Sequence, residues 1–112
     1  MLSSYRVIEL SDDPVSFCGY LLALLGAEVI CVEPAEGSVV RRQPPFSLVD
    51  GESLWWAAYS RGKQKIVLDL KDESARAELR DMIETADFFI ESMSADSAVK
   101  KGLDYESLAK IN

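Results

Sequence analysis

Five cations fall in two groups along the 112-residue chain: Arg41 with Arg42, and Arg61, Lys63 and Lys65 around Gly62. A guanidinium grips phosphate with two parallel hydrogen bonds, lysine adds a point charge, and a glycine between them lets the backbone approach a ligand closely. The chemistry such residues favour is the binding of an anionic, phosphorylated ligand; the competing reading is solvated charge on a loop and a strand edge. Trp55, Trp56 and Tyr59 offer flat rings that stack on a base or fill a core. Adjacent Trp55 and Trp56 cannot face the same way, so one of them is expected at the surface. Cys31 stands at a strand end, either as a reactive thiol or as a small buried hydrophobe. Asp69 is either a carboxylate at a strand end or a helix-entry residue.

The chain has no histidine, which removes Ser-His-Asp and Cys-His pairs, histidine metal centres and histidine general bases. Twelve basic against 19 acidic residues give a net charge of -7, which opposes non-specific nucleic-acid binding. Cys18 and Cys31 have no CxxC spacing, so free thiols in a reducing compartment are expected and zinc is not. No apolar run reaches the ~18 residues of a membrane span, and Met1 to Arg6 lack signal-peptide anatomy, so the sequence reads as soluble and cytoplasmic.

These residues need elements to hold them. Tyr5–Leu10 reads as a strand, and Ser11, Asp12, Asp13 and Pro14 give helix-start signals. Cys18, Leu21, Leu22 and Leu25 share one helical face, Gly26 is a stop, and Glu28–Val32 is the next strand. Strand, helix and strand joined by short connections form a βαβ unit with parallel strands. Residues 33–50 carry three of the four prolines and read as a long surface loop. A helix follows over Gly51–Ser60 with Asp50 as its N-cap, bringing Leu54, Trp55, Ala58 and Tyr59 together. Next come a strand at Ile66–Leu70, a helix from Asp72 to Thr85 and a strand at Asp87–Glu91. A Ser/Ala/Asp-rich turn or short helix then runs to Lys101, and after Gly102 a last helix runs from Asp104 to the chain end. The expected fold is a single α/β domain over residues 1–112, a parallel sheet with helices on both faces.

In such a sheet ligands lie at the carboxyl ends of the strands, which directs attention to Ser11–Asp13, Glu33–Pro34, Leu70–Lys71 and Ser92–Ser94. The first of these turns has no GxGxxG, and two aspartates stand where a dinucleotide pyrophosphate would approach. Glu33 alone, about 20 residues on, is all that favours a dinucleotide-binding domain.

Three stretches in order, Val7 to Ser11, Leu21 to Pro34 and Ser60 to Lys71, resemble the opening of class III coenzyme A transferases. That family includes formyl-CoA transferase, carnitine CoA-transferase and alpha-methylacyl-CoA racemase. The similarity continues through Ala86–Ser92 and Lys101–Tyr105 and so covers nearly the whole chain. It implies a Rossmann-like partial large domain from a parent enzyme that moves coenzyme A between carboxylic acids. In that chemistry an aspartate attacks the acyl-CoA thioester, giving a mixed anhydride and then an aspartyl-CoA thioester from which the acceptor acid takes the coenzyme. Family spacing puts that aspartate several dozen residues beyond Asn112, so no catalytic residue is assigned here. Coenzyme-contacting positions carry over where residues match: Arg41 closes the family's Glu-Pro-Pro-Gly-Gly-Asp-x-x-Arg stretch. Arg61, Gly62 and Lys63 match its Asn-Arg-Gly-Lys-Arg turn, with Ser60 in place of asparagine, and Lys100 replaces an arginine.

The chain also departs from the family. Asp12 and Asp13 stand where the Gly-Pro after the first strand is missing, Cys31 replaces a lysine, and Ser92-Met93-Ser94-Ala95-Asp96 replaces Asn-Phe-Arg-Pro-Gly. Carboxylates beside a pyrophosphate repel it. Two readings follow. One is an amino-terminal fragment of a divergent transferase, inactive alone, with part of the surface for coenzyme A or acyl-CoA. The other is a non-catalytic relative kept for assembly, as a homodimer or with a complementing chain that carries the rest of the transferase.

Overall fold

The structure, a computed structural model, describes residues 1–11 and 13–112. The elements are β1 (Arg6–Leu10), α1 (Asp13–Leu24), β2 (Glu28–Glu33), α2 (Leu54–Tyr59), β3 (Lys63–Val67), α3 (Glu73–Glu84), β4 (Phe88–Ile90), α4 (Ala95–Lys101) and α5 (Tyr105–Ala109). The four strands form one parallel sheet in the order β3-β2-β1-β4. β1 and β2 are almost wholly buried, as strands covered on both faces must be.

Side chains alternate across the sheet, and the core divides accordingly. Ile8, Leu10, Ile30 and Val32 pack with Leu79 and Ile83 of α3 and with Leu103. Val7 and Val29 point to the opposite face, where Leu22 and Ala23 of α1 cover them. Cys31 joins that face and packs with Val40 and Trp56. The expected period of α3 is observed: Ala75, Leu79, Met82, Ile83 and Ala86 all belong to the first cluster. Gly102 stops α4 with φ 69°, the left-handed region that glycine enters without a Cβ clash.

Several boundaries differ from expectation. The third strand begins at Lys63 instead of Ile66, because Lys63, Gln64 and Lys65 pair with Val29, Ile30 and Cys31. Their polar side chains mask strand pairing that a buried charge makes possible. The helix expected over Gly51–Ser60 is only α2; its cap is Ser53, whose hydroxyl accepts from the Trp56 N–H, while Asp50 caps the turn at Glu52. The long loop contains a 3₁₀ turn at Val39–Arg42 and an antiparallel bridge between Phe46 and Ser53. α5 ends at Ala109, short of the chain end. On α1 the expected stripe is not the buried face: Cys18, Leu21 and Leu25 are exposed, and Val15, Ser16 and Gly19 face the sheet with Leu22 and Ala23. Asp12 lies outside the described residues. Among those described, no helix is long and apolar enough to cross a membrane.

Candidate functional site

The chain leaves β1 toward β2 and β3 on one side and returns to place β4 on the other, so strand order reverses between β1 and β4. Crevices at the carboxyl ends of parallel strands collect at such a reversal. A cleft of about 250 Å³ opens at the carboxyl ends of β1, β2 and β3, lined by Ser11, Glu33, Asp69, Leu70, Lys71 and Lys101 among others. A second hollow, about 270 Å³, adjoins it and is closed by Val39, Ser92 and Met93; the two share Leu10, Ser11 and Pro34. All four turns that follow the strands therefore contribute to one continuous edge.

Glu33 ends β2 with its carboxylate 3% exposed and held from two sides. Arg41 donates through Nε at 2.5 Å and Nη2 at 2.9 Å, and the Ser38 N–H donates at 3.0 Å. The Arg41 bonds are the main reason the Glu33 carboxyl is held below the usual carboxylate range. The guanidinium also lies 4.0 Å from the Trp56 ring centroid. Glu33 and Arg41 thus fold the loop between them back over the strand ends.

The second group of cations lies elsewhere. Arg61 and Gly62, the latter with φ 76°, turn the chain into the amino end of β3, where Lys63 sits level with Val29. Glu33 is four residues further along β2, on the order of 13 Å at strand rise. The Lys63 side chain is 2% exposed; its ammonium donates to Glu9 Oε2 at 3.0 Å and to the Ser16 carbonyl at 2.9 Å. Ser60 is buried and its N–H donates to the Trp56 carbonyl. Arg61 remains exposed, donating to the Tyr20 hydroxyl at 2.7 Å and to the Ala58 carbonyl at 3.1 Å. The fold therefore does not gather Arg41, Arg61, Lys63 and Lys65 into one patch.

Lys100 is exposed on the last turn of α4, and its neighbour Lys101 lines the cleft. Ser11, Lys71 and Lys101 line the cleft and lie outside the two charge groups; their sequence signal is position, directly after a strand or at the end of a helix following one. Cys31 is 1% exposed, and burial, then the neighbouring Glu9, push its thiol up to about 12, the state of an unreactive core residue. Trp56 is buried and Trp55 exposed, dividing the pair as expected. Trp55, Tyr20 and Phe17 each pack edge-on or tilted against Tyr59 or one another at the surface.

The model of CoA-transferase family III matches residues 2–112. The chain is 44% identical to succinate–glutarate CoA-transferase of Agrobacterium fabrum, with 99% of this chain and 30% of that protein covered. It is 30% identical to the succinyl-CoA–L-malate CoA-transferase beta subunit of Chloroflexus aurantiacus, over 99% of this chain and 28% of that protein. Among solved structures, a CAIB/BAIF family protein from Brucella suis superposes with a TM-score of 0.89 at 38% identity, covering 98% of this chain and 30% of its own. The chain thus spans about 30% of the length of these relatives. On the match over residues 2–112, with the parallel α/β fold in agreement, the chain belongs to CoA-transferase family III.

Proposed function

We propose that this chain supplies the coenzyme-binding side of an acyl-CoA transferase site and leaves the nucleophilic carboxylate to be supplied from elsewhere. The observation that carries this reading is the cleft at the carboxyl ends of β1, β2 and β3, which Lys71 and Lys101 line. Two ammonium groups suit the phosphates of coenzyme A. Of the three acids in the wall, Glu33 is already neutralised by Arg41, and Glu36 and Asp69 stand beside the two lysines. Arg41 holds the loop over the ligand, Lys100 adds charge beside Lys101, and Arg61 with Gly62 forms an outlying turn. Ser60 and Lys63 position α2, α1 and β3 rather than touch the coenzyme. Acyl-CoA is the substrate class, the compartment is cytoplasmic, and the chain alone turns over no acyl-CoA. Calorimetric titration with coenzyme A tests the reading. Saturable binding that falls about tenfold in each of Lys71→Ala and Lys101→Ala supports it. No binding at millimolar coenzyme, or binding indifferent to both changes, overturns it.

A second reading, assembly with a homodimer mate or a complementing chain, is favoured by α1, which has no charged residue after Asp13 and exposes Phe17, Leu21 and Leu24, with Leu25 exposed just beyond it. Mixing experiments that restore transferase turnover separate this from the coenzyme-only reading. The dinucleotide alternative predicts saturable binding of NAD in the same titration.

A further inference from the structure

Glu33 stands where a parallel α/β sheet often carries a nucleotide-selecting acid. At the end of the second strand, about 20 residues past the first turn, a free carboxylate accepts hydrogen bonds from the hydroxyls of a ribose. Glu33 is the last residue of β2 and lines the cleft at the strand ends. The role of ribose acceptor is nevertheless closed to it. Oε1 accepts from Arg41 Nε and from the Ser38 N–H, and Oε2 accepts from Arg41 Nη2, so a donor already sits on each oxygen. The loop is shaped around this contact. Gly37 turns it with φ 85°, and a Cβ there would lie 3.3 Å from Arg41 Cδ and 3.8 Å from Glu33 Oε1. Trp56 backs the guanidinium.

We propose that Arg41 is a specificity-determining residue: by occupying Glu33 it turns the cleft away from nucleotides with a free ribose diol and toward the 3′-phosphorylated ribose of coenzyme A. The inference rests on the coenzyme reading above and adds what the cleft rejects. A lone carboxylate at this place would attract hydroxyls and repel a ribose phosphate; the same carboxylate held by a guanidinium does neither. Arg41 therefore acts through Glu33, with two of its donors engaged by the carboxylate, and Lys71 and Lys101 are the cations of the wall that meet phosphate. The one residue that favours dinucleotide binding is thereby withdrawn from it.

The test compares ADP with its 2′,3′-dideoxy analogue, titrated calorimetrically into the unaltered chain, Arg41→Met, Arg41→Lys and the double variant Glu33→Gln/Arg41→Met, with circular dichroism to follow folding. The unaltered chain should not distinguish the two probes. Arg41→Met should prefer ADP by about tenfold, the size expected of hydrogen bonds to a charged acceptor, and the double variant should lose that preference. Arg41→Lys, which keeps one cation near the carboxylate, should show a smaller preference, and it decides the matter if methionine disturbs the fold. A preference for ADP already present in the unaltered chain, its absence from both Arg41 variants, or its persistence in the double variant overturns the proposal. Coenzyme A titration of the unaltered chain is a separate readout. Failure to bind coenzyme there, with a diol preference gained on removing Arg41, removes the coenzyme reading and leaves Arg41 as the group that closes Glu33 to ribose; coenzyme binding with no gain does the reverse.

Discussion

The Lys63 ammonium crosses β2 to stand 2.8 Å from Glu9 Oε1, tying β3 to β1 in a pocket where both side chains are at most 2% exposed. The same ammonium donates to the Ser16 carbonyl, so the pair also anchors α1 to the sheet. Burial pushes the Glu9 carboxyl up while Lys63 opposes it, which is the balance of a buried ion pair: desolvation offset by a close partner. A network of this kind orders neighbouring elements more than it stabilises them.

Removing one member should therefore cost more than removing both. Lys63→Met leaves Glu9 buried without a partner, and Glu9→Leu does the same to Lys63; each single change should destabilise the chain by about 3–5 kcal/mol. The double variant, apolar on both sides, should lose less than either single. Urea unfolding of the four proteins gives the coupling directly. If the double variant also keeps its affinity for coenzyme A, Lys63 acts through the fold; a selective loss of affinity in a well-folded double variant assigns it to the ligand.

Gly19 makes this pair possible. A Cβ at that position would lie 1.6 Å from Glu9 Oε1, inside any permitted contact. Gly19→Ala should push α1 off the sheet or expel the carboxylate, costing about 1–3 kcal/mol or more. Combined with Glu9→Ala, which vacates the space, the alanine should cost far less. Equal destabilisation in both backgrounds would show that the clash is relieved some other way.

The same pair marks where sequence reasoning succeeded and where it stopped. The alternation of apolar runs in β1 and β2 and the period of α3 were legible because burial sets both, and each is local. Lys63 was not: a lysine at a strand start reads as solvent-exposed until its partner, 54 residues away, is known. The cleft divided in the same way. Turns after strands were identifiable from topology, which named Glu33, Leu70 and Lys71. Clustering of like charges pointed to the Arg61 turn, which the sheet places at the other end of β3 from this cleft. The reach of Arg41 back to Glu33 depends on how the seven residues between them fold, and periodicity carries no information on that.

Glu33 should give the chain an acid limb of its own. Its carboxyl is depressed by Arg41, so the folded state prefers the ionised form relative to an unfolded glutamate of about 4.3. That stability is fully present above the unfolded value and is lost as pH falls through the lower folded value. Glu33→Gln should lose about 1–3 kcal/mol near neutrality and show a flatter decline below pH 4.3. Thermal melts at stepped pH check this; parallel curves for the two proteins would remove Glu33 from the acid transition.

The two thiols should behave as opposites. Cys18 is exposed on α1, whereas Cys31 is 1% exposed between Glu9 and the Val40–Trp56 cluster with its thiol raised to about 12. The thiolate is the reactive form, and burial withholds both that form and access to it. A disulfide reagent should titrate one thiol quickly in native protein and the second only at the rate of opening or unfolding. Cys18→Ser should remove the fast phase and leave the slow one. Because Trp56 packs on Cys31, the slow phase should coincide with the change in Trp56 fluorescence, measured in a Trp55→Phe background to isolate the buried ring. A fast second thiol in fully folded protein would mean that the face between α1, α2 and the sheet opens far more readily than its packing implies.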